Sequence, residues 1–324
     1  MSATGTTAFV TLVERRIAAL LAPDPSAWAE RNTLAAASRH LCLGNGGKRV
    51  RSRLVLLLGR AAGASEPALE AVATSAELIH AASLLHDDVV DEASLRRGKP
   101  SVNAGWGNQV AVLAGDWLLS SAFSVLRPHP REVTSEAIEV VAEMSRAAIA
   151  ELEARGRADL TLERWRAIAA GKTGALFGWC GQAAARVAGR DDLAARFDAF
   201  GRRLGVAFQL ADDLKDIWSD EGKDRFADLK NRNPSVPILL AAGGDERFAA
   251  ELRRAWSRAE VSPAEAEALG ELLLASEAPV RAVERLERET EAAIDLLGPM
   301  RELPWCAELL ALVRSFGQSA GETR

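Results

Sequence analysis

Two aspartate clusters of identical spacing, each set in an apolar stretch, restrict what this chain can fold into more than any other feature. They are DDVVD at 87–91 and DDLKD at 212–216. On a helix, residues i and i+4 lie one turn apart on the same face, so the outer carboxylates of each cluster can hold an ion. A single such cluster could equally be a solvated acidic helix face. Two matched clusters favour a bound cation, because unpaired carboxylates repel one another and resist burial. Carboxylate oxygens prefer hard ions, and Mg²⁺ usually shares its shell with substrate phosphates.

Composition limits the remaining possibilities. With 324 residues, 48% of them hydrophobic, the chain can bury a large core, and length alone would allow two domains. The net charge of −5 argues against nucleic acid as a partner. Three scattered cysteines indicate reduced thiols in a cytoplasmic protein. The start lacks a signal peptide, and no apolar run approaches the roughly 18 to 20 residues that span a bilayer, so we expect no transmembrane segment.

Almost every segment of the chain is predicted to be helical, since Ala, Leu, Arg and Glu are abundant and no strand pattern appears. We expect a single all-α domain over residues 1–324, of which residues 1–8 can be disordered. A helix from about Pro67 to Leu95 carries the first aspartate cluster, and one over 191–218 carries the second. Further helices are predicted at 108–126, 134–155, 162–180, 262–274, 279–297 and 303–316, with a polar loop at 222–237.

Glycine-rich basic motifs accompany the acidic clusters. Free backbone N–H groups, a helix start and cations make GGKRVR at 46–51 a candidate diphosphate site, although similar strings occur in ordinary loops. RRGKP at 96–100 places cations at an expected helix C-terminus, which capping or anion binding explains equally well. GKTG at 171–174 suits either a phosphate or a helix bend. His80, two turns before Asp87, could reach a ligand, whereas His86 could simply orient a carboxylate.

The order of these motifs resembles that of the trans-type isoprenyl diphosphate synthases. The order is GGKRxR, then DDxxD with RRGKP, then GKT, then FQLxDDxxD, and it runs from about Gly46 to Pro237. The stretch from Leu84 to Asp116 is its most specific part. The resemblance implies an isoprenoid synthase helical bundle around a deep central cavity, with the two aspartate clusters facing each other across its mouth. It also implies a homodimer.

The resemblance implies roles for individual residues in a Mg²⁺-dependent head-to-tail condensation of isopentenyl diphosphate with an allylic prenyl diphosphate. Three Mg²⁺ ions on the allylic diphosphate would be bound by Asp87, Asp91 and Asp212. These aspartates, Lys172 and three supporting aspartates form the implied catalytic set; the supporting residues are Asp88, Asp213 and Asp216. The allylic substrate would contact Arg96, Lys172, Thr173, Gln209 and Lys223. The diphosphate of isopentenyl diphosphate would be held without metal by Lys48, Arg51, His80 and Arg97.

Product length is predicted from the residues just before the first cluster. Farnesyl-type synthases resemble this chain except for a bulky aromatic residue one turn before the first aspartate. Here Ala82 and Ser83 are small, which predicts an open cavity and an all-trans product of geranylgeranyl length or longer. Ile79 is one candidate for the floor of that cavity. Small side chains also suit close packing against a neighbouring helix, and that alternative stays open.

The chain departs from the family pattern at several positions. Ser52 stands where proline is usual after the second arginine, and Trp117 replaces a usual Tyr or Phe. Asn233 stands in the place of a lysine that would close over the allylic diphosphate. Arg232 or Lys230 could supply that charge instead.

Two alternatives use the same helical fold. A terpene cyclase or head-to-head prenyl synthase also ionises prenyl diphosphates, but it does not need the cations at 48, 51 and 97. A non-catalytic subunit of a heteromeric prenyl synthase would usually lose an aspartate cluster, and both clusters are intact here.

Overall fold

The structure is a computed structural model that describes residues 3–26, 28–43, 47–218, 225–303 and 306–321. Helices make up most of these residues, which confirms the all-α prediction. In chain order they are α1 Ala3–Leu20, α2 Ala29–Leu43, α3 Val50–Ala62, α4 Glu66–Val90, α5 Val102–Trp106, α6 Asn108–Leu126, α7 Arg131–Ala154, α8 Leu162–Ala169, α9 Ala175–Val187, α10 Asp191–Trp218, α11 Ala227–Lys230, α12 Val236–Gly244, α13 Glu246–Trp256, α14 Pro263–Leu274, α15 Ala278–Asp295 and α16 Cys306–Gly321. A π-helical turn, Ala170–Gly174, joins α8 to α9, and a 3₁₀ turn, Gly298–Glu302, follows α15.

Helix α4, which carries the first aspartate cluster, is the buried helix of one compact unit, Met1–Val141 with Trp179–Phe197. Every residue from 72 to 79 is buried, and α1, α3 and α6 pack against this helix. Glycines permit two of these close approaches. A Cβ built at Gly59 would lie 2.3 Å from the Leu69 side chain, and one at Gly115 would lie 2.2 Å from the His86 ring. The helix is therefore held firmly on several sides.

The first cluster lies at the end of α4 because the helix stops at Val90, five residues before the predicted end. Glu92 adopts a left-handed φ of 50°, and the Ala93 N–H donates to the Asp88 carbonyl, the hydrogen bond of a Schellman cap. The sequence gives no warning of this cap because glycine usually occupies such a position.

A short β-hairpin follows the cap, where the sequence showed no strand pattern. Strand β1, Leu95–Arg96, pairs antiparallel with β2, Lys99–Pro100. Its two turn residues, Arg97 and Gly98, both have positive φ, as type I′ turns require. RRGKP therefore lies on a hairpin, so helix capping does not explain its cations.

The second compact unit comprises Ala142–Gly178 and Asp198–Arg324, and α10 carries the second cluster in it. Helix α10 lies backbone to backbone against the preceding segment. A Cβ built at Gly201 would lie 2.3 Å from the Phe177 carbonyl oxygen, and one at Gly205 would lie 2.4 Å from the Gly174 Cα. The prediction of a single domain over residues 1–324 stays a prediction. The structure places a helix from Ala3 onward, within the eight residues for which disorder was allowed.

Helix positions were predicted more accurately than helix ends. The helices over 108–126 and 191–218 match the structure at both ends. The predicted helix over 162–180 is instead α8, the π turn and α9, because the π turn interrupts a run that continues to Val187. In the predicted loop at 222–237, residues 227–230 form α11 and residues 236–237 begin α12.

Two helices meet the length and composition of a membrane span, contrary to the expectation that none would. They are α4 and α6. In α4, 67% of the most apolar stretch is buried within the protein, and in α6, 39%. Two thirds of the α4 stretch is covered by protein, so its apolar character is that of a core helix.

Candidate active site

The central aspartate of the first cluster is buried and tied to a cation. Asp88 is 1% exposed, and the Arg96 Nε donates to both of its carboxylate oxygens at 2.8 Å, with Nη2 at 2.7 Å from Oδ1. Arg96 reaches Asp88 because the β-hairpin turns back over the end of α4. Asp87 is half-buried and Asp91 is exposed, so the two predicted metal ligands remain accessible.

His86 fixes the end of α4 against α6. Its Nε2 lies 3.2 Å from the Val112 carbonyl oxygen and 3.6 Å from Asp116. The absence of a side chain at Gly115 makes room for the ring. His86 is thus bound to α6, and its role in orienting a carboxylate stays a prediction.

A concentration of cations surrounds His80 on the same unit. Burial and the guanidinium groups of Arg51, Arg97, Arg96 and Arg49, in that order, hold the pKa of His80 well below its usual range. Burial and two neighbouring guanidinium groups, those of Arg96 and Arg49, also lower the pKa of Arg97. Cations that lower one another's pKa are best neutralised by an anion, and a neutral imidazole can donate one hydrogen bond to it.

The basic loop before α3 contributes to this cationic group. A Cβ built at Gly47 would lie 3.1 Å from the Arg97 guanidinium, so the loop and this guanidinium are close together. Lys48 is exposed, and Arg51 lies half-buried in the first turn of α3. The structure therefore brings Arg51, His80 and Arg97 together, three of the four residues predicted to hold isopentenyl diphosphate. Gly46 lies outside the described residues.

The second cluster is fixed by helix N-termini instead of by a guanidinium. Asp213 is 6% exposed, and its carboxylate accepts hydrogen bonds from the Val236 N–H at 3.1 Å and from Gln209 at 3.3 Å. Asp216 accepts from the Asp228 N–H at 3.1 Å. These N–H groups lie at the starts of α12 and α11, where backbone donors lack helical partners. Asp212, the predicted metal ligand, remains 44% exposed beside Lys215 at 2.6 Å.

Negative charge is in excess around the second cluster. Burial, followed by repulsion from Asp228, raises the pKa of Asp213 well above its usual range. Burial also raises the pKa of Asp216, and burial with repulsion from Asp216 raises the pKa of Asp228 to about 7. Bound cations would relieve this repulsion.

The π turn presents Lys172 and Thr173 to the second cluster. The Thr173 hydroxyl donates to Gln209 at 3.1 Å, and Gln209 in turn donates to Asp213. Lys172 is paired with Glu151. The glycines of GKTG serve packing, since a Cβ at Gly171 would lie 2.8 Å from Ala147. GKTG is thus an irregular helical turn whose Lys172 and Thr173 side chains make polar contacts, and π turns often occur at functional sites.

The loop after the second cluster carries the two candidates for the missing lysine's charge. The Arg232 guanidinium donates to the Arg258 carbonyl at 2.9 Å, and the substitution of Arg232 or Lys230 for that lysine stays a prediction. Asn233 donates to Asp228 at 3.4 Å and lines a cavity of about 90 Å³ with Lys172, Gln209 and Asp213. Lys223, a predicted substrate ligand, lies outside the described residues.

The predicted chain-length residues lie on α4 below the first cluster. Ala82 is 0% and Ile79 is 1% exposed, whereas Ser83 is half-buried and its hydroxyl donates to the His80 carbonyl at 2.8 Å. Burial of Ala82 agrees with either a closely packed neighbour or a narrow apolar wall, so the assignment of these residues stays a prediction.

Three carboxylates that contact the predicted site residues or their neighbours were missed from the sequence. Glu151 pairs with Lys172, Asp228 lies beside Asp216, and Glu77 holds the start of α3. Glu77 had a signal, since it is a lone acidic residue in the apolar run before His80. Glu151 had none, because its partner is 21 residues away.

The residues of both clusters suit a hard divalent cation that is completed by substrate oxygens. Among the described residues, no three acidic, His or Cys side chains form a closed metal site. Mg²⁺ is commonly held by only one or two carboxylates together with phosphate oxygens, and each cluster offers accessible carboxylates beside buried, fixed ones. Burial and repulsion from Asp228 raise the pKa of Asp213, and a bound cation would lower it.

The chain matches one protein family and is similar to several known enzymes. The family model described as polyprenyl synthetase matches residues 31–273. The chain is 34% identical over 275 residues to an octaprenyl diphosphate synthase of Escherichia coli, which covers 82% of this chain and 84% of the relative. It is 36% identical over 241 residues to a (2E,6E)-farnesyl diphosphate synthase of Mycobacterium tuberculosis, covering 71% and 67%. Among solved structures, a polyprenyl synthase from Caulobacter crescentus complexed with calcium and isoprenyl diphosphate has a TM-score of 0.87, 30% identity and coverage of 97% and 95%.

The chain therefore belongs to the polyprenyl synthetase family of prenyltransferases. Its fold is the isoprenoid synthase helical bundle that the motifs predicted. The matched relatives make prenyl diphosphates of different lengths, and neither alternative function is favoured by these matches.

Proposed function

We propose that this enzyme is a trans-prenyl diphosphate synthase that condenses isopentenyl diphosphate head to tail with an allylic prenyl diphosphate. The observation that carries the proposal is the cationic group around neutral His80, present in a chain that also keeps two complete aspartate clusters. An enzyme that only ionises one prenyl diphosphate needs the clusters alone. A separate anion site provides for a second diphosphate substrate.

We assign the metal ligands to Asp87, Asp91 and Asp212, with three Mg²⁺ ions expected when the allylic diphosphate is bound. Asp88, Asp213 and Asp216 would support them, since each is held in place by hydrogen bonds to neighbouring groups. When bound, Mg²⁺ stabilises the charge that builds on the departing diphosphate.

The protein's own residues bind and orient the two substrates. Lys172, Thr173 and Gln209 would hold the allylic diphosphate from the π turn and α10, while Lys48, Arg51 and Arg97 bind the isopentenyl diphosphate. His80 stays neutral and donates one hydrogen bond. The allylic C–O bond breaks, the isopentenyl double bond forms the new C–C bond, and the product loses a proton to the departing diphosphate.

The apolar residues of α4 below Asp87 exclude water from the reacting carbons. Leu78, Ile79, Ala82 and Leu85 are buried and carry no group that could capture a carbocation. Because Ala82 and Ser83 are small, we infer a product of geranylgeranyl length or longer.

A metal-dependence assay tests the proposed reaction. The enzyme is incubated with isopentenyl diphosphate and either dimethylallyl or farnesyl diphosphate, with and without Mg²⁺. We expect longer prenyl diphosphates only when Mg²⁺ and both substrates are present. Hydrocarbon release from the allylic substrate alone would indicate a cyclase, and no turnover under any condition would indicate a non-catalytic subunit.

We further propose a homodimer, which the family resemblance supports and light scattering after size-exclusion chromatography tests. We also place the enzyme in the cytoplasm, supported by three cysteines that are all free and buried. Cell fractionation tests this location.

A further inference from the structure

We propose that Glu77 is a positioning residue for the metal-free diphosphate site, acting through Ser52 and Arg49. It holds the basic loop and the first turn of α3 in the place where Lys48 and Arg51 meet the isopentenyl diphosphate. This inference rests on the proposed function, since it deepens the same site.

Glu77 caps a helix to which it does not belong. Its Oε1 accepts from the Ser52 N–H at 3.0 Å and from the Ser52 hydroxyl at 2.9 Å. Ser52 lies in the first turn of α3, where backbone N–H groups have no helical partner and negative charge is favourable. A carboxylate from α4 thus fixes the start of α3, and both groups are buried, at 4% and 0% exposure.

The second carboxylate oxygen of Glu77 fixes the loop. Arg49 donates to Glu77 Oε2 at 3.3 Å, to Glu14 at 3.1 Å and to the Cys42 carbonyl at 2.6 Å. Its backbone has a left-handed φ of 45° at the N-cap of α3, a conformation that a non-glycine residue keeps only when its surroundings enforce it. The three partners of its guanidinium supply that enforcement.

The segment that Glu77 holds in place, residues 48–52, carries two of the cations predicted to bind substrate. Lys48 precedes Arg49, and Arg51 lies between Arg49 and Ser52. Glu77 and His80 are three residues apart on one face of α4, and the Arg51 charge acts on His80. The same helix face therefore holds the loop with Glu77 and meets the diphosphate with His80.

Ser52 makes this arrangement particular to this chain. The family pattern usually has proline at this position, and proline has neither an N–H nor a hydroxyl. Here both donors are directed at one carboxylate oxygen, so Glu77 depends on Ser52 more than the pattern alone would indicate.

The test compares Glu77→Gln with Glu289→Gln in the full-length enzyme. Glu289 is a matched control, because it is also buried, at 6%, and paired with arginines, Arg166 and Arg203, but lies in the other unit. We expect Glu77→Gln to raise the KM for isopentenyl diphosphate about tenfold, with less than a twofold change in the KM for the allylic substrate, the scale of one charge-assisted hydrogen bond. Glu289→Gln should change neither KM by more than about twofold.

A binding measurement separates this inference from the proposed function. Isothermal titration with isopentenyl diphosphate alone, without Mg²⁺ or allylic substrate, should show about tenfold weaker binding in Glu77→Gln. If the wild-type enzyme binds isopentenyl diphosphate but never elongates an allylic substrate, the proposed function is wrong. The titration of Glu77→Gln would then still test the positioning role. Equal losses for both substrates, or an unchanged isopentenyl diphosphate affinity, would overturn the positioning role. If Glu77→Gln does not fold, Ser52→Ala is measured in its place. We expect its affinity for isopentenyl diphosphate to fall about threefold, and an unchanged affinity would contradict the positioning role.

Discussion

The two aspartate clusters have the same spacing but opposite electrostatic surroundings. Asp88 in the first cluster is buried against the guanidinium of Arg96, and four arginines act on nearby His80. Asp213 in the second cluster is buried and accepts from the Val236 N–H and the Gln209 amide, and burial with repulsion from Asp228 and Asp212 raises its pKa. The first region is rich in fixed positive charge, whereas the second has excess negative charge.

Because the two clusters share their spacing but differ in electrostatic surroundings, the DDxxD spacing alone does not define the chemistry of a cluster. In each, the central aspartate is held by hydrogen bonds, while the predicted metal ligands Asp87, Asp91 and Asp212 stay accessible. Asp88 is paired with an arginine, whereas Asp213 accepts from amide donors, so we expect Asp213 to depend more on bound cations. The two regions should therefore respond differently to substitution and to pH.

Loss of an outer aspartate should have the largest effect. We expect Asp87→Ala and Asp212→Ala each to lower kcat more than about a hundredfold, because each removes a ligand whose charge stabilisation is worth several kcal/mol. Steady-state kinetics at saturating Mg²⁺ measure this, with circular dichroism as the folding control. Near-normal turnover in either variant would remove that cluster from the metal site.

The two clusters also differ in the size of the side chain one helical turn before their first aspartate. Four residues before the first aspartate stands Ser83 in the first cluster and Phe208 in the second, and Phe208 packs on Phe177 with ring centroids 5.4 Å apart. Ala82→Phe places an aromatic ring next to Ser83, the position that corresponds to Phe208. We expect the product to shorten to about farnesyl length while ionisation of the allylic substrate persists, because the ring would block the growing chain. An unchanged product distribution, read by reverse-phase chromatography, would show that the chain grows elsewhere.

The central aspartates should differ in the sign of their effect on stability. Asp88→Asn leaves the Arg96 guanidinium without its carboxylate, so we expect the free energy of unfolding to fall by about 2 kcal/mol. Asp213→Asn removes a buried charge while an amide oxygen can still accept from Val236. We expect its Tm at pH 8 to rise by roughly 2 °C, the shift for about 1 kcal/mol in a chain of this size. Thermal unfolding without Mg²⁺ measures both, and equal shifts of the same sign would refute the contrast.

Opposite pH responses should be the smallest effect. The folded-state pKa of His80 lies below its unfolded value, so the unfolded chain binds more protons and stability falls as pH drops below about 6.5. The pKa of Asp213 is raised, so the folded chain binds more protons and stability falls as pH rises above about 4. His80→Asn should flatten the acid side of the Tm profile, and Asp213→Asn should flatten the neutral side. A variant profile parallel to the wild-type curve would contradict the corresponding assignment.

How far the sequence predicts this protein depends on whether the signal is local. The clusters, the helices around them and the cationic motifs are local patterns, and the structure places Arg51, His80 and Arg97 together as predicted. The cap at Glu92 and the hairpin after it were missed because non-glycine residues adopt the left-handed conformation there. The partnerships of Glu77 with Ser52 and of Asp213 with Val236 join residues 25 and 23 positions apart, and the sequence does not indicate which group each carboxylate contacts.

Product analysis of the wild-type enzyme tests the central claim most directly. The enzyme is incubated with Mg²⁺, labelled isopentenyl diphosphate and dimethylallyl or farnesyl diphosphate, and the dephosphorylated products are separated by reverse-phase chromatography. The account predicts labelled all-trans prenyl chains of geranylgeranyl length or longer, formed only with both substrates and the metal. Products that stop at farnesyl would contradict the open cavity that the small residues Ala82 and Ser83 predict. The absence of any elongated product would contradict the proposed function itself.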